Sequence, residues 1–307
     1  IHKIISDTYK TELAIREEKE KQIGANIDLR DTSIDQINDL IENTFPLRLS
    51  NSVHAVINTH AQNTLKKNYN RDSVNVPNVM DFDQPFGEVT EKNICLYKNL
   101  GCEENDILLF QITRVVRRKG IEVAIRLIEK LQDKKVKLVI TGNYNDDAES
   151  KYYMELIELI HQHKLGQQVA FAYHLFNNKG LMSRNGDLNY SLSDAYAQAT
   201  VCTYFSTYEG FGNAFVEAVL AKRPIFVNNY KPVYWPDIGS KGFKAVMLED
   251  NDLTDKALEE MKEVIYNEKL AKEIAEYNYE LGKKLFSYDT LREKLEELIG
   301  KATKATK

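Results

Sequence analysis

The sequence predicts an α/β protein whose larger part is a doubly wound parallel sheet. From residue 106 onward, apolar runs alternate regularly with helical segments. The runs are nearly continuous in apolar residues, as in residues 107–115, which is typical of strands covered by helices on both faces. Residues 121–132 place Ile121, Ile125 and Ile128 on one helical stripe. This alternation predicts a sheet that binds its ligand beyond the carboxyl ends of its strands.

The elements follow one another at the spacing that such a sheet requires. Strands are predicted at residues 107–115, 136–142, 169–174, 201–206, 224–229 and 243–249. Helices are predicted between them at residues 121–132, 149–163, 192–199 and 213–223. Before residue 84 the pattern is weaker. A short strand at 54–60 and a helix at 61–69 precede an extended passage bracketed by Pro77 and Pro85, which predicts a crossing between domains.

Composition excludes several classes of protein. The 307 residues are 43% hydrophobic and 10% aromatic, which is ordinary for a globular protein. The net charge of -5 predicts no basic surface for nucleic acid or anionic lipid, and no run of eighteen apolar residues predicts a transmembrane segment. The three cysteines show no paired spacing, so we expect neither a disulfide framework nor a zinc site. The expectation is a cytoplasmic protein.

The stretch "YEGFGNAFVEAV" places two carboxylates at the predicted binding edge, directly after the strand at 201–206. Gly210 and Gly212 allow the backbone to approach a ligand closely. The helix that starts near Asn213 presents unpaired N–H groups that suit a phosphate or a sugar oxygen. Glu209 and Glu217 suit hydroxyl donors, such as those of a ribose or a hexose. The alternative is that Glu209 caps the helix and Glu217 is a solvated helix residue.

A basic stretch, "TRVVRRKG", reaches the same edge at the end of the first strand of this sheet. Arg114 and Lys119 are placed to neutralise a diphosphate. The planar guanidinium of Arg114 can form paired hydrogen bonds to phosphate oxygens, and the ammonium of Lys119 acts as a point charge. The alternative is a basic turn on the solvated surface, which is what we expect of Arg117 and Arg118.

Together these motifs resemble those of the retaining nucleotide-sugar glycosyltransferases of family four, which have the two-domain GT-B fold. Glu209 and Glu217 match the two glutamates of the E-x7-E motif. Arg114 and Lys119 match the family's Arg and Lys, with Thr113 where a glycine is usual. The stretch "VPNVMDFD" matches the passage into the second domain. Further stretches are similar to the branch of sucrose-phosphate-synthase-like and mannosylglucosylglycerate-synthase-like enzymes.

The resemblance implies a role for each matched residue. Arg114 and Lys119 would hold the donor diphosphate, Glu209 the hydroxyls of the transferred hexose, and Glu217 the ribose. The other donor-binding residues would lie at the start of the helix and in the loops that flank the base: Gly210, Phe211, Gly212, Asn213, Gly142, Asn143, Tyr173 and His174. We also expect Glu209→Ala to weaken nucleotide-sugar binding while leaving the melting temperature of the ligand-free protein nearly unchanged.

The resemblance also implies the chemistry. A hexose would pass, with retention of its anomeric configuration, from a UDP- or GDP-linked sugar to a sugar, glycerate-type or glycan acceptor. No cofactor and no metal are expected, because Arg114, Lys119 and the helix dipole supply positive charge for the diphosphate. Asp146 and Asp147 are adjacent, whereas an Asp-x-Asp metal motif needs one residue between them.

The first part of the chain departs from the family's pattern. Residues 1–83 show one or two strands and no Gly-rich loop, so we interpret them as an incomplete N-terminal, acceptor-side domain and the crossing. Residues 84–285 would form the nucleotide-sugar-binding domain, and residues 286–307 a helix that packs back on the N-terminal domain. Two alternatives stay open: a donor-binding half without activity on its own, and another GT-B enzyme such as a nucleotide-sugar epimerase.

Overall fold

The computed structural model of the chain describes residues 53–143, 147–176 and 190–305. Residue contacts divide the chain into two compact units, residues 1–52 and residues 53–307. All the strands and helices given below belong to the second unit.

Parallel strands organise the described part of the chain. The strands are β1 His54–Val56, β2 Ser73–Asn75, β3 Ile107–Gln111, β4 Val136–Ile140, β5 Val169–Phe171, β6 Val201–Tyr204, β7 Ile225–Asn228 and β8 Val246–Leu248. Six of them form one sheet in the order β5-β4-β3-β6-β7-β8, and every neighbouring pair in it is parallel. β1 and β2 form a separate parallel pair.

Helices connect these strands. They are α1 Thr59–Tyr69, α2 Leu96–Asn99, α3 Ile121–Leu131, α4 Asp147–Gln162, α5 Leu192–Gln198, α6 Asn213–Leu220, α7 Asp255–Tyr266, α8 Glu268–Phe286 and α9 Tyr288–Ala305. Short 3-10 turns lie at Arg117–Lys119, Tyr173–Leu175 and Gly239–Lys241, and a π-helical turn lies at Tyr234–Ile238. None of the described helices is long and apolar enough to cross a bilayer.

The main sheet has a hydrophobic core on each face, as its continuous apolar strands predict. Consecutive residues of β3 point to opposite faces, so Leu109 joins the core formed with α3, α4 and α7. Phe110 joins the core formed with α5 and α6. The predicted apolar stripe of α3 is buried in the first of these cores. The predicted doubly wound α/β architecture is therefore confirmed.

The strand order places a topological switch point between β3 and β6. The chain runs outward from β3 through β4 to β5, returns to β6, and then runs outward on the other side to β8. Loops that leave the carboxyl ends of β3 and β6 diverge, and a crevice opens between them. Arg114 follows β3 and Glu209 follows β6, so the fold brings these two parts of the sequence to the same crevice.

Several strands end earlier than their apolar runs predict. β3 ends at Gln111 rather than at residue 115, and β6 ends at Tyr204 rather than at residue 206. The run at 54–60 is divided, because Asn58 caps α1 by accepting a hydrogen bond from the N–H of Ala61. A pattern of apolar residues does not reveal where a capping side chain ends a strand and starts a helix. In β3 and β6 the residues beyond the strand end form the loops of the crevice.

The last two helices return to the start of the described region. α9 contacts β2. The N–H of Met80 donates to the carbonyl of Phe286 at 2.8 Å, and the Tyr279 hydroxyl donates to the carbonyl of Phe82 at 3.2 Å. These contacts lie in the region to which residues 286–307 are expected to return. The boundaries of the functional domains stay a prediction.

The side chain of Asn228, at the end of β7, links residues that follow β6 and β8, and its removal should destabilise the fold. Its buried amide donates to the carbonyl of Ser206 at 2.9 Å and accepts from the N–H of Asn251 at 2.8 Å. Asn228→Ala should lower the free energy of unfolding by about 1–3 kcal/mol for each buried partner left unpaired. Urea denaturation without ligand measures this.

The neighbouring Asn229→Ala is the matched control. Among the described residues, the Asn229 side chain bonds only to Glu249, in an exposed contact, so its loss should change the free energy of unfolding by less than about 0.5 kcal/mol. Equal stability of the two variants would contradict the proposed role of Asn228.

Candidate functional site

A cleft of about 630 Å³ opens at the carboxyl edge of the sheet, above the switch point. Eleven of the twelve predicted site residues line it. They are Arg114, Lys119, Gly142, Asn143, Tyr173, Glu209, Gly210, Phe211, Gly212, Asn213 and Glu217. His174 is the exception, because the chain turns into a short 3-10 helix after β5 and leaves this side chain exposed outside the cleft.

Glu209 is the centre of a buried cluster of charges. Its Oε1 accepts hydrogen bonds from Lys119 Nζ at 2.5 Å, Arg118 Nη1 at 2.7 Å and Ser206 Oγ at 2.7 Å. Both Glu209 and Lys119 are buried. The helix cap predicted as the alternative role for Glu209 is wrong, since Gly212 occupies the N-cap position of α6 and no side chain caps that helix.

Arg118 belongs to this cluster, and its assignment to the solvated surface is wrong. A 3-10 turn rotates successive side chains by about a third of a turn, so neighbours in sequence face different directions. Arg117 points outward, where it pairs with Glu155 at 2.5 Å. Arg118 points to the cleft and also donates to the carbonyl of Tyr208 at 2.9 Å. The two adjacent arginines look alike in the sequence, and only the turn separates their roles.

The cluster holds Glu209 in its charged form. Burial alone would raise the pKa of this carboxyl, but the bonds from Lys119, Ser206 and Arg118 outweigh burial and lower it below its ordinary value. Burial lowers the pKa of the Lys119 ammonium, and Glu209 opposes that shift only in part. Glu209 is therefore an ionised acceptor in the cleft wall.

This burial changes the expectation for Glu209→Ala. Without Glu209, the buried Lys119 ammonium would lose its carboxylate partner, and breaking a buried ion pair from one side is strongly destabilising. The melting temperature of the ligand-free variant should therefore fall. Glu209→Ala cannot separate binding from folding, so other substitutions are needed to test the site.

Glu217 lies in a different environment, although only eight positions separate it from Glu209. It sits in the middle of α6, half-buried, and its Oε2 accepts a hydrogen bond from the hydroxyl of the buried Tyr196 at 3.0 Å. Burial raises its pKa above the ordinary value, although Tyr196 and Lys119 act in the opposite direction. The solvated position predicted as the alternative for Glu217 is therefore wrong.

Arg114 supplies a further cation to the cleft. Its side chain is exposed at the cleft and makes no hydrogen bond or ion pair with any residue that the structure describes. It lies close enough to Lys119 to contribute to the lowered pKa of that ammonium. The cations Arg114, Arg118 and Lys119 outnumber the carboxyls Glu209 and Glu217 in the lining, and the excess of positive charge favours an anionic ligand.

The turn before α6 exposes backbone donors to the cleft. Across the described residues, the N–H groups of Phe211 and Gly212 have no acceptor, and α6 adds the positive end of its dipole. Gly212 has φ +108°, and a Cβ there would lie 2.1 Å from Tyr230 Oη. Of the atoms that the structure describes, a Cβ on Gly210 would meet only Ile57 Cδ1, at 3.9 Å. The fold therefore requires glycine at 212, whereas it leaves room for a methyl group at 210.

Sequence reasoning missed several residues of the site. The Tyr204 ring lies 4.9 Å from Lys119 Nζ, and Tyr204, Asn78 and Ile57 all line the cleft. Tyr204 lies inside an apolar strand, where an aromatic residue is most simply read as core. Asn78 lies in the stretch "VPNVMDFD", which resembles the family's passage into the second domain. That resemblance is the sequence signal that could have identified Asn78 as a site residue.

The described residues give the cleft no cluster of metal-binding side chains. Throughout the described ranges, no group of three or more His, Cys, Asp or Glu residues is arranged to hold a metal ion. Asp146 lies outside the described residues.

Replacing the two glutamates one at a time should change the pH dependence of stability in opposite directions. The folded pKa of Glu209 is lowered, so the stability it contributes is present above the ordinary value of 4.5 and is lost as the pH falls through the folded value. The folded pKa of Glu217 is raised, so its contribution is present below 4.5 and is lost as the pH rises through the folded value.

The measurement is urea denaturation of the wild type, Glu209→Gln and Glu217→Gln at several pH values. On acidification from pH 7, the wild type should gain stability relative to Glu217→Gln. Below the ordinary pKa of 4.5, it should lose stability relative to Glu209→Gln. Parallel curves for the two variants would show that the environments of the two carboxyls do not differ as described.

Solved structures share this fold. A glycosyltransferase from Rickettsia africae matches with a TM-score of 0.65 at 16% identity, covering 88% of this chain and 68% of that one. Sucrose-phosphate synthase from Thermosynechococcus elongatus matches with a TM-score of 0.61 at 15% identity, covering 82% and 58%. The Anabaena protein HepE, in complex with UDP and glucose, matches with a TM-score of 0.62 at 16% identity, covering 81% and 63%. The predicted GT-B type of fold is confirmed.

Curated relatives are similar in sequence. The mannosylglucosylglycerate synthase of Petrotoga mobilis is 32% identical over 284 residues, covering 82% of this chain and 63% of the relative. The enzyme of the same name from Thermotoga maritima is 31% identical over 270 residues, covering 83% of this chain and 63% of the relative. The chain thus spans less than two thirds of the length of either relative.

A family model describes the central part of the chain. The model for glycosyl transferases group 1 matches residues 97–281, which is more than half of the chain and includes the whole main sheet. The cleft residues that follow β3 and β6 lie within the match. This chain belongs to the family of group 1 glycosyl transferases.

Proposed function

We propose that this chain binds a nucleoside diphosphate sugar in the cleft and serves an enzyme that transfers the hexose with retention of configuration. One observation carries the proposal: Arg114, Lys119, the ionised Glu209 and the start of α6 converge on a single cleft at the switch point. Cations and a helix N-terminus suit a diphosphate, and a carboxylate beside them suits hydroxyl groups.

The diphosphate would lie between the loop after β3 and the start of α6. Arg114 has no competing partner among the described residues, so its guanidinium is available for a bidentate bond to phosphate oxygens. Lys119 adds a point charge, and the N–H groups of Phe211 and Gly212 add neutral donors. These groups would stabilise the negative charge that develops on the diphosphate as the leaving group departs.

The two glutamates would bind hydroxyl groups at opposite ends of the diphosphate. Glu209 is held in its ionised form, which suits an acceptor for hydroxyls of the hexose. Glu217 lies further along α6 and would accept from the ribose. Gly142, Asn143 and Tyr173 line the part of the cleft beyond β4 and β5 and would flank the base.

We propose that the reaction uses no cofactor and no metal ion. Arg114, Lys119 and the dipole of α6 already supply positive charge where a metal would neutralise a diphosphate. The donor is proposed to be UDP- or GDP-linked, and the complex of the Anabaena relative with UDP and glucose favours the uridine nucleotide.

The acceptor is proposed to be a sugar, a glycerate-type compound or a glycan. The name of the two curated relatives, mannosylglucosylglycerate synthase, supports the glycerate type. Because the chain spans 63% of each relative, a second proposal is that it binds the donor but needs further residues for transfer.

Binding of the donor should depend on Arg114. We expect UDP- or GDP-linked hexose, at about a hundred times its dissociation constant, to stabilise the wild type by about 2.7 kcal/mol in a thermal-shift assay. Arg114→Ala should weaken this binding about 10- to 100-fold, because it removes charged hydrogen bonds to phosphate. Titration calorimetry gives the dissociation constants.

Arg117→Ala is the matched control, because Arg117 is a nearby arginine that pairs with Glu155 outside the cleft. It should leave donor binding unchanged. Equal losses in both variants would point to a general charge effect instead of a phosphate contact. Binding without transfer to any acceptor would favour the second proposal, and no binding of any nucleotide sugar to the wild type would contradict both.

Gly210→Ala offers a second test that spares the fold. Since a Cβ at this position meets only Ile57, the free energy of unfolding should change by less than about 0.5 kcal/mol. The added methyl group narrows the cleft beside Glu209 and should weaken binding of the donor sugar. Gly212→Ala should instead destabilise the fold, because its Cβ collides with Tyr230. Unchanged donor affinity in Gly210→Ala would place the hexose elsewhere.

A further inference from the structure

Asn58 connects the early part of the chain to the turn that forms the cleft. Its Oδ1 accepts from the N–H of Ala61 at 2.7 Å and so caps α1. Its Nδ2 donates to the carbonyl of Gly210 at 2.7 Å, across 152 residues of sequence. Both polar atoms of the buried amide are therefore hydrogen-bonded, the oxygen to α1 and the nitrogen to the turn.

Other contacts hold the same segment against the donor-binding domain. The backbone N–H and the hydroxyl of Thr59 both donate to Oδ1 of the buried Asp237, at 2.9 and 2.6 Å. Further along the chain, Asn78 Nδ2 donates to Asn213 Oδ1 at 2.7 Å. The turn from Gly210 to Asn213 is thus bonded at both ends by asparagine side chains from the region before residue 84.

The bond from Asn58 determines how the Gly210–Phe211 peptide faces. In a trans peptide the carbonyl and the following N–H point in opposite directions. With the Gly210 carbonyl bonded to Asn58, the N–H of Phe211 points away from Asn58 and stays without an acceptor among the described residues. If the peptide turned over, a carbonyl oxygen would replace this donor and would repel an anionic ligand.

On the Gly210 side, steric packing restrains this peptide little, although the Phe211 side chain is buried against Phe286. Glycine rotates more freely than any other residue, and within the described part of the chain only Ile57 approaches the position of a Cβ on Gly210. Tyr230 packs closely against the neighbouring Gly212, so Gly210 is the glycine of the turn whose backbone has more room to rotate. The hydrogen bond from Asn58 is therefore a constraint at the Gly210 carbonyl that favours the orientation with the N–H available.

We propose that Asn58 is a positioning residue for donor binding, which acts by holding the Gly210–Phe211 peptide with its N–H available to the diphosphate or the transferred sugar. The inference rests on the proposed function. It assigns a role in donor recognition to the segment before α1, which lies outside the sequence motifs of the cleft.

Asn58→Ser separates this role from helix capping. Serine is a good N-cap residue and is neutral, but its hydroxyl is too short to cap α1 and also reach Gly210. Gln62→Ser is the matched control, because Gln62 also lies on α1 and donates to a backbone carbonyl, that of Ser73 at 2.8 Å, away from the cleft. Calorimetry with the UDP- or GDP-linked hexose that binds the wild type, and hydrogen exchange of residues 208–213, are the two measurements.

We expect Asn58→Ser to weaken donor binding about tenfold, the effect of one or two hydrogen bonds, and to speed amide exchange in the turn. Gln62→Ser should leave both unchanged. Wild-type affinity and exchange in Asn58→Ser would overturn the positioning role while leaving the proposed function intact. Equal losses in both variants would also overturn it, as an effect of general destabilisation. No donor binding by the wild type would remove the proposed function and this role together.

Discussion

The buried ion pair between Lys119 and Glu209 joins the two loops that make the site. Lys119 comes from the turn after β3 and Glu209 from the loop after β6, on either side of the switch point. Two charges out of water persist only when each partner and its hydrogen bonds offset the loss of hydration. Ser206 and Arg118 supply those additional bonds to Glu209. Among the cleft cations that the structure describes, Arg114 is the one without an ion pair and is therefore available for a ligand.

The turn between Glu209 and α6 must be rigid and still expose its backbone N–H groups. Rigidity comes from outside the turn, since Tyr230 fills the space beside Gly212 and Asn58 bonds to the Gly210 carbonyl. Glycines make the close approach possible, and their neighbours remove the freedom that glycine would otherwise keep. The start of α6 therefore presents backbone N–H groups as hydrogen-bond donors beside the ionised carboxylate of Glu209.

The two glutamates show how environment differentiates identical side chains. Glu209 is surrounded by cations, which lower its pKa, whereas Glu217 has one phenol as its hydrogen-bond partner and a pKa raised by burial. Their spacing along the chain matched a motif, but the motif contains no information about these partners. Tyr196, which bonds to Glu217, comes from a helix that precedes β6 and reads in the sequence as an ordinary core residue.

The sequence by itself determined the α/β class, the order of strands and helices from residue 107 onward, and the placement of Arg114, Lys119, Glu209 and Gly212 at one edge of the sheet. These follow from hydrophobic periodicity and from residues that come directly after strands, which are local properties of the chain. Only the tertiary structure decided that Arg118 faces the cleft while His174 does not, and that Asn58 reaches Gly210. Those outcomes depend on the rotation of short turns and on contacts between distant segments, which packing determines and local sequence does not.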